Sequence, residues 1–264
     1  MDAIALFYVT HGSSDRRSWL VLQDILATAR SQIGSQFSRI GGGCLEGQDL
    51  SLSQQLEIFA LEVINLGVTE IVILPLFLLE GVHVKEDIPE QVAIAASNFK
   101  DKYQGKYADT ERLMFWITKH LGTSPQIPQL LMQSFTNQSS DSQSQVPQSC
   151  SSPNRILIAH GSRRDGANQV VENLARQCDA IAAYWGVEPK VETQIESLLS
   201  QGSAKIEVLP YFLTEGGITE AIAKKIQAYS DRVKIQQLAV PLCKEQIIDL
   251  SLEFVYQRHS GSLH

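Results

Sequence analysis

Apolar runs of strand length alternate with longer amphipathic stretches along most of the chain. In the first half, IALFYVT (4–10), EIVILPLF (70–77) and RLMFWIT (112–118) are rich in β-branched and aromatic residues and predict strands, and a further strand is predicted over 38–44. Between the first two lies RRSWLVLQDILATARSQI, whose Trp19, Leu22, Ile25, Leu26 and Ala29 follow the i, i+3, i+4 spacing of an amphipathic helix. The second half repeats the scheme, with strands predicted at 155–159, 188–193, 205–212 and 234–239. Strand and helix in alternation predict an α/β protein, each half a small, doubly wound parallel sheet flanked by helices.

The halves also echo each other in detail. VTHGSSDRR (9–17) returns as IAHGSRRDG (158–166), and VILPLFLLEGVHVKEDI (72–88) returns as EVLPYFLTEGGITEAI (207–222). Pro75 then aligns with Pro210, Glu80 with Glu215 and Gly81 with Gly216, which points to internal duplication. Symmetry fails at one place: His11 has a counterpart in His160, whereas His83 aligns with Ile218. Two equal sites are therefore not expected. Between the halves, TNQSSDSQSQVPQSCSSPN (136–154) holds too little apolar surface to offset its ordering entropy and reads as a linker. The expected division is 1–135, a linker at 136–154, and 155–264.

Composition narrows the function. With 264 residues, 44% of them hydrophobic, the chain can bury a proper core, and no apolar run approaches the roughly 18 residues of a membrane span. The N-terminus shows no basic region or cleavage site of a secretory signal, so a cytoplasmic protein is expected. Cys44, Cys150, Cys178 and Cys243 lie far apart with no CxxC pair, which fits a reducing compartment. A formal net charge of -7 argues against a nucleic-acid partner. No phosphate-binding glycine motif of the GxxxxGK[ST] or GxGxxG type is present.

The chemistry collects at strand ends. In a doubly wound sheet, ligands bind beyond the carboxyl ends of the strands. His11 ends the first strand, Glu46 closes GGGCLE after the second, and His83 follows the third, so one rim would receive all three. Two imidazoles and a carboxylate suit first-row divalent metals, and imidazole also exchanges protons near neutral pH. Arg16, Lys85 and Arg163, with Arg17 and Arg164, follow the two rims and would serve an acidic ligand, although solvated helix faces explain them equally well. Ser13, Ser14 and Ser162 are either N-caps or donors to the same ligand. His160 either closes the far wall of a cleft or bonds its own turn. The glycines of HGS and LEGVH are expected to permit tight turns. Glu86 and Asp87 sit in a first helical turn, where acids offset the macrodipole, and no catalytic part falls to them. His120, His259 and His264 read as structural or surface residues.

THGSSDRRS together with LPLFLLEGVHVKEDIPEQV resembles the class II chelatases of the CbiX/SirB type, and the resemblance runs through both halves. It implies two flavodoxin-like domains with a cleft between them and ATP-independent insertion of Co2+ or Fe2+ into sirohydrochlorin. Ni2+ or Zn2+ could serve in vitro, and no cofactor beyond the substrate metal is implied. By the same resemblance His11 and His83 are catalytic, and His11, Glu46 and His83 bind the metal. Ser13, Arg16, Lys85, His160, Ser162 and Arg163 are then expected to hold the acidic tetrapyrrole, in a monomer or homodimer. The chain departs from the family's HGSR pattern at Ser14 and keeps it at Arg163. Two rival readings remain. A histidine phosphatase would place an arginine directly before the histidine, where Thr10 and Ala159 stand. A tetrapyrrole or metal carrier or sensor would bind without turnover.

Overall fold

A computed structural model describes residues 3–107, 109–137 and 154–260. Most of the expected linker, 138–153, and His264 lie outside the described residues. In the first half, β1 (Ala3–Gly12), α1 (Arg16–Ile33), β2 (Arg39–Glu46), α2 (Leu52–Ile64), β3 (Val68–Pro75), α3 (Ile88–Tyr103), β4 (Met114–Ile117) and α4 (Ile127–Asn137) follow in order. The second half runs β5 (Asn154–Ala159), α5 (Gln169–Gln177), β6 (Ala180–Tyr184), α6 (Val191–Ser200), β7 (Lys205–Pro210), α7 (Gly217–Gln227), β8 (Lys234–Gln237) and α8 (Lys244–Ser260). Each half forms a four-stranded, wholly parallel sheet, ordered β2-β1-β3-β4 and β6-β5-β7-β8.

Helix α1 occupies the stretch that the spacing predicts. The strand expected at 188–193 is absent: Val191 opens α6, and the second strand of this half is Ala180–Tyr184. The reason is compositional. AIAAY carries three alanines of low strand propensity, yet between β5 and the helical layers even small side chains complete a buried strand.

Burial on both faces makes the central strands continuous apolar runs. Ala5, Phe7 and Val9 of β1 pack into one layer with Leu56 and Phe59 of α2 and Val92 and Phe99 of α3. Leu6 and Tyr8, between them, are just as buried and face the other layer, where burial pushes the Tyr8 phenol up to about 12 and Ser251 of α8 opposes the shift. Each such large apolar side chain contributes about 1.5–3 kcal/mol when fully buried.

The final helix of each half does not stay with its own sheet. One compact unit comprises Met1–Ser124 with Cys243–His264; the other is Pro125–Leu242. Within the first, α8 lies along α1 and reaches β3, with Lys244 paired to Asp24 at 3.2 Å. Within the second, α4 packs on β7, and Phe135 stacks under the Arg155 guanidinium at 5.0 Å. A division at the Ser/Gln-rich segment therefore differs from the compact units at both ends. Both helices are apolar on one side, and that amphipathicity says nothing about which sheet they cover.

Candidate metal centre

The order β2-β1-β3-β4 reverses direction between β1 and β3, since the chain leaves β1 toward β2 and leaves β3 toward β4. That divergence opens the switch-point crevice of an open α/β sheet. The register β1 to β2 places Gly12 opposite Glu46, and β1 to β3 places Val9 opposite Pro75. His11 thus ends the central strand, with Glu46 beside it and His83 arriving from the loop beyond β3.

His11, Glu46 and His83 each offer a ligand atom, and these atoms lie within 4.8 Å of one another. The imidazoles meet edge to face, their centroids 4.5 Å apart and their planes at 89°. His11 Nε2 stands 3.1 Å from His83 Nε2. Donor atoms on a tetrahedral first-row ion, bound at about 2.0–2.2 Å, stand roughly 3.4 Å apart, so the spacing is that of one cation's shell.

What holds the rings fixes where their protons sit. His11 Nδ1 lies 2.9 Å from the carbonyl of Gly12, and His83 Nδ1 lies 2.6 Å from Asp87 Oδ2. A carbonyl and an ionised carboxylate only accept, so each Nδ1 donates and each Nε2 turns a lone pair into the shared gap. A cation bound there would meet both lone pairs.

The His-Gly turn has a local cause. Gly12 adopts φ +78°, and a Cβ there would sit 2.0 Å from the carbonyl oxygen of Glu46. Only glycine lets β1 run this close to the end of β2 and still present its carbonyl to His11. Gly81 needs no such freedom: its φ is outside the left-handed region and open space lies where a Cβ would be, contrary to the expectation for LEGVH.

The serine expectations also change. Asp15, not Ser13 or Ser14, caps α1 by accepting from Arg17 N–H, and Ser13 Oγ accepts from Asp15 N–H in a turn one step earlier. Arg17 is drawn back onto Asp15 and holds that carboxyl below its usual range. Ser162 repeats the Ser13 bond by accepting from Arg164 N–H, well before α5 begins. Arg16 and Arg163 are exposed, and Lys85 is paired with Glu80 at 3.1 Å. His160 Nδ1 sits 3.1 Å from the carbonyl of Gly161, the same contact with its own turn that His11 makes. His120, expected to be structural, is buried beyond β4, and burial holds its imidazole below the usual value while Glu80 pulls it up.

Sequence reasoning missed Asp87. Read as a helix-dipole acid, it instead grips His83 from four residues along a π-helical turn, His83–Asp87, that precedes α3. The spacing H-x-x-x-D, which puts both side chains on one face, was the available signal.

Two parallel 2-1-3-4 sheets, one of them with this trio at its switch point, define the class: a two-domain chelatase-type α/β fold. The chain belongs to the CbiX family, whose model matches residues 5–138 and 154–253. Among solved structures it is similar to "SirB from Bacillus subtilis with Fe3+", at 18% identity and TM-score 0.76, with 98% of each chain covered. A SirB from Bacillus subtilis subspecies spizizenii in complex with cobalt is similar at 18% identity and TM-score 0.71, covering 98% of this chain and 97% of that one. CbiX, described as the terminal enzyme for siroheme biosynthesis in denitrifying bacteria, follows at 15% identity and TM-score 0.63, covering 97% and 98%. At these identities the structural likeness speaks for the fold. No curated protein matches the chain. No described helix is long and apolar enough to cross a membrane.

Proposed function

We propose that the protein inserts a divalent metal, Co2+ or Fe2+, into sirohydrochlorin without ATP, in the cytoplasm. The observation that carries this reading is the convergence of two imidazole Nε2 atoms 3.1 Å apart, with the Glu46 carboxylate in the same shell. His11, Glu46 and His83 take the ion from water. Metal insertion exchanges two pyrrole N–H protons for one dication. As the ion leaves, the Nε2 lone pairs are freed beside the macrocycle, so the groups that delivered the metal are the bases that receive the protons. Fixing both rings through Nδ1 keeps those lone pairs aimed and removes a reorientation step. Ser13, Arg16 and Lys85, on the same rim, would contact the peripheral carboxylates of the substrate. Lys85 would exchange its Glu80 partner for one of them.

The family membership and the SirB relatives bound to Fe3+ and cobalt support this reading. The test is anaerobic: sirohydrochlorin with Co2+ or Fe2+, followed by its visible spectrum with and without the protein. Acceleration over metal alone is expected. A carrier would bind the tetrapyrrole without accelerating the change.

A further inference from the structure

We propose that Asp87 is a positioning residue that acts through His83, fixing its tautomer and strengthening it as a ligand; this rests on the metal reading of the His11, Glu46 and His83 trio. Asp87 Oδ2 lies 2.6 Å from His83 Nδ1, on the side of the ring away from His11. Asp87 is not in the group of potential ligands, so it reaches the ion only through the imidazole. The two rings are thereby held differently. His11 leans on a neutral main-chain carbonyl, whereas His83 leans on a carboxylate, which places a full negative charge behind one ring only. A ligand imidazole with a carboxylate on its far nitrogen is oriented and made more basic. Charge balance agrees, because Glu46 and Asp87 together supply two negative charges for one dication.

Two further features point to His83 and Asp87 as a unit. The turn that carries them is π-helical, with Ile88 N–H donating to the His83 carbonyl five residues back, and such widened turns recur at functional positions. The second half provides an internal control. By the alignment of the repeats, His83 falls on Ile218; the first copy is one residue longer, the fully buried Ile88 matches the fully buried Ile222, and Asp87 falls on Ala221. That half lacks the imidazole and its acid together, and α7 starts at Gly217 without a widened turn.

The test uses the full chain and two readouts. Ring 15N NMR of metal-free protein, taken where the histidines are neutral, reports which nitrogen of His83 carries hydrogen. Titration with Co2+, followed by the cobalt visible bands, reports affinity. Asp87→Ala is expected to move His83 toward the Nε2–H tautomer and to weaken Co2+ binding by about 10–100-fold. Asp87→Asn keeps an acceptor oxygen and loses the charge, so the tautomer should persist while affinity falls less. Circular dichroism on each variant checks folding, and Asn serves if Ala does not fold. The proposal is overturned if the tautomer is unchanged in Asp87→Ala and Co2+ affinity stays within about twofold. Failure of the parent protein to bind Co2+ would instead remove the metal reading, with the NMR arm still deciding what Asp87 does.

Discussion

The two halves are one design carried to different ends. Both build a 2-1-3-4 parallel sheet, both end the central strand in His-Gly with a left-handed glycine, and both bond that histidine's Nδ1 to the glycine carbonyl. The register of β1 on β2 sets Glu46 beside Gly12; beyond the last β5–β6 pair, Ala159 on Tyr184, Gly186 N–H donates to the His160 carbonyl, so Gly186 takes the place that Glu46 has. Ile218 stands where His83 stands. A strand-end histidine with its turn is therefore scaffold; the carboxylate and the second imidazole are what the proposed metal site adds. The difference lies in three side chains, Glu46, His83 and Asp87, while the fold is common to both.

The comparison breaks most readily on the histidines. Replacing His11 or His83 by Ala should lower the chelation rate by about 10²–10⁴-fold, the usual range for a lost proton acceptor. His160→Ala, at the matching place in the other half, should cost far less and leave Co2+ stoichiometry unchanged. Initial rates of the sirohydrochlorin spectral change, beside equilibrium Co2+ binding, measure both. An equal loss in His160→Ala would mean that the halves share the chemistry.

The glycines sharpen the contrast. Gly12→Ala and Gly161→Ala each force a Cβ onto a left-handed residue, the first 2.0 Å from the Glu46 carbonyl and the second 2.7 Å from Tyr184 Cβ. Each should destabilise by about 1–3 kcal/mol. At about 2–4 °C per kcal/mol for a chain near this size, the melting temperature reads the loss. Only Gly12→Ala should also weaken Co2+ binding, because there the strain falls on a ligand's own backbone. Weakened binding in both variants would contradict a metal site confined to the first unit.

The third experiment builds rather than removes. Gly186→Glu with Ile218→His gives the second half the residues it lacks, and the pair should add a weaker second Co2+ site. A gain of about tenfold in affinity at that position, roughly 1.4 kcal/mol, would be resolved by titration. No second equivalent of bound Co2+ would show that residue identity alone does not separate the halves.

Much of this was legible before any coordinates. The apolar runs of strand length and the period-3.6 stripe give seven of the eight strands and the whole of α1. His11, Glu46 and His83 could be brought to one rim because parallel strands put successive carboxyl ends on one side. AIAAY escaped because its burial is set by neighbours rather than by its own propensity. The crossing of α4 and α8 escaped for a related reason: an amphipathic helix records that it covers something, and its partner is decided by the rest of the chain. Asp87 was misread because an acid in a first turn has an ordinary explanation; its four-residue spacing from His83, and the loss of both in the repeat, argued for another.

The smallest expected effect concerns His120. Counted three residues on from the last paired residues, Ile117 of β4 and Gln237 of β8, His120 matches Val240 in the comparison of halves, so the first unit buries an imidazole where the second has an aliphatic residue. Burial holds the His120 pKa below the unfolded value of about 6.5, with the Glu80 carboxylate working in the opposite direction. Below that unfolded value the unfolded chain takes up a proton that the folded chain refuses. Stability from this group is thus complete above the unfolded pKa and is lost as pH falls through the folded one. His120→Gln should therefore flatten the acid side of the stability curve and leave the alkaline side parallel to the parent. Urea midpoints measured through the weakly acidic range check this, and Val240→Gln is the matched control, with no titrating group to remove. An unchanged acid slope in His120→Gln would place the pH sensitivity elsewhere and leave the two units alike in this respect.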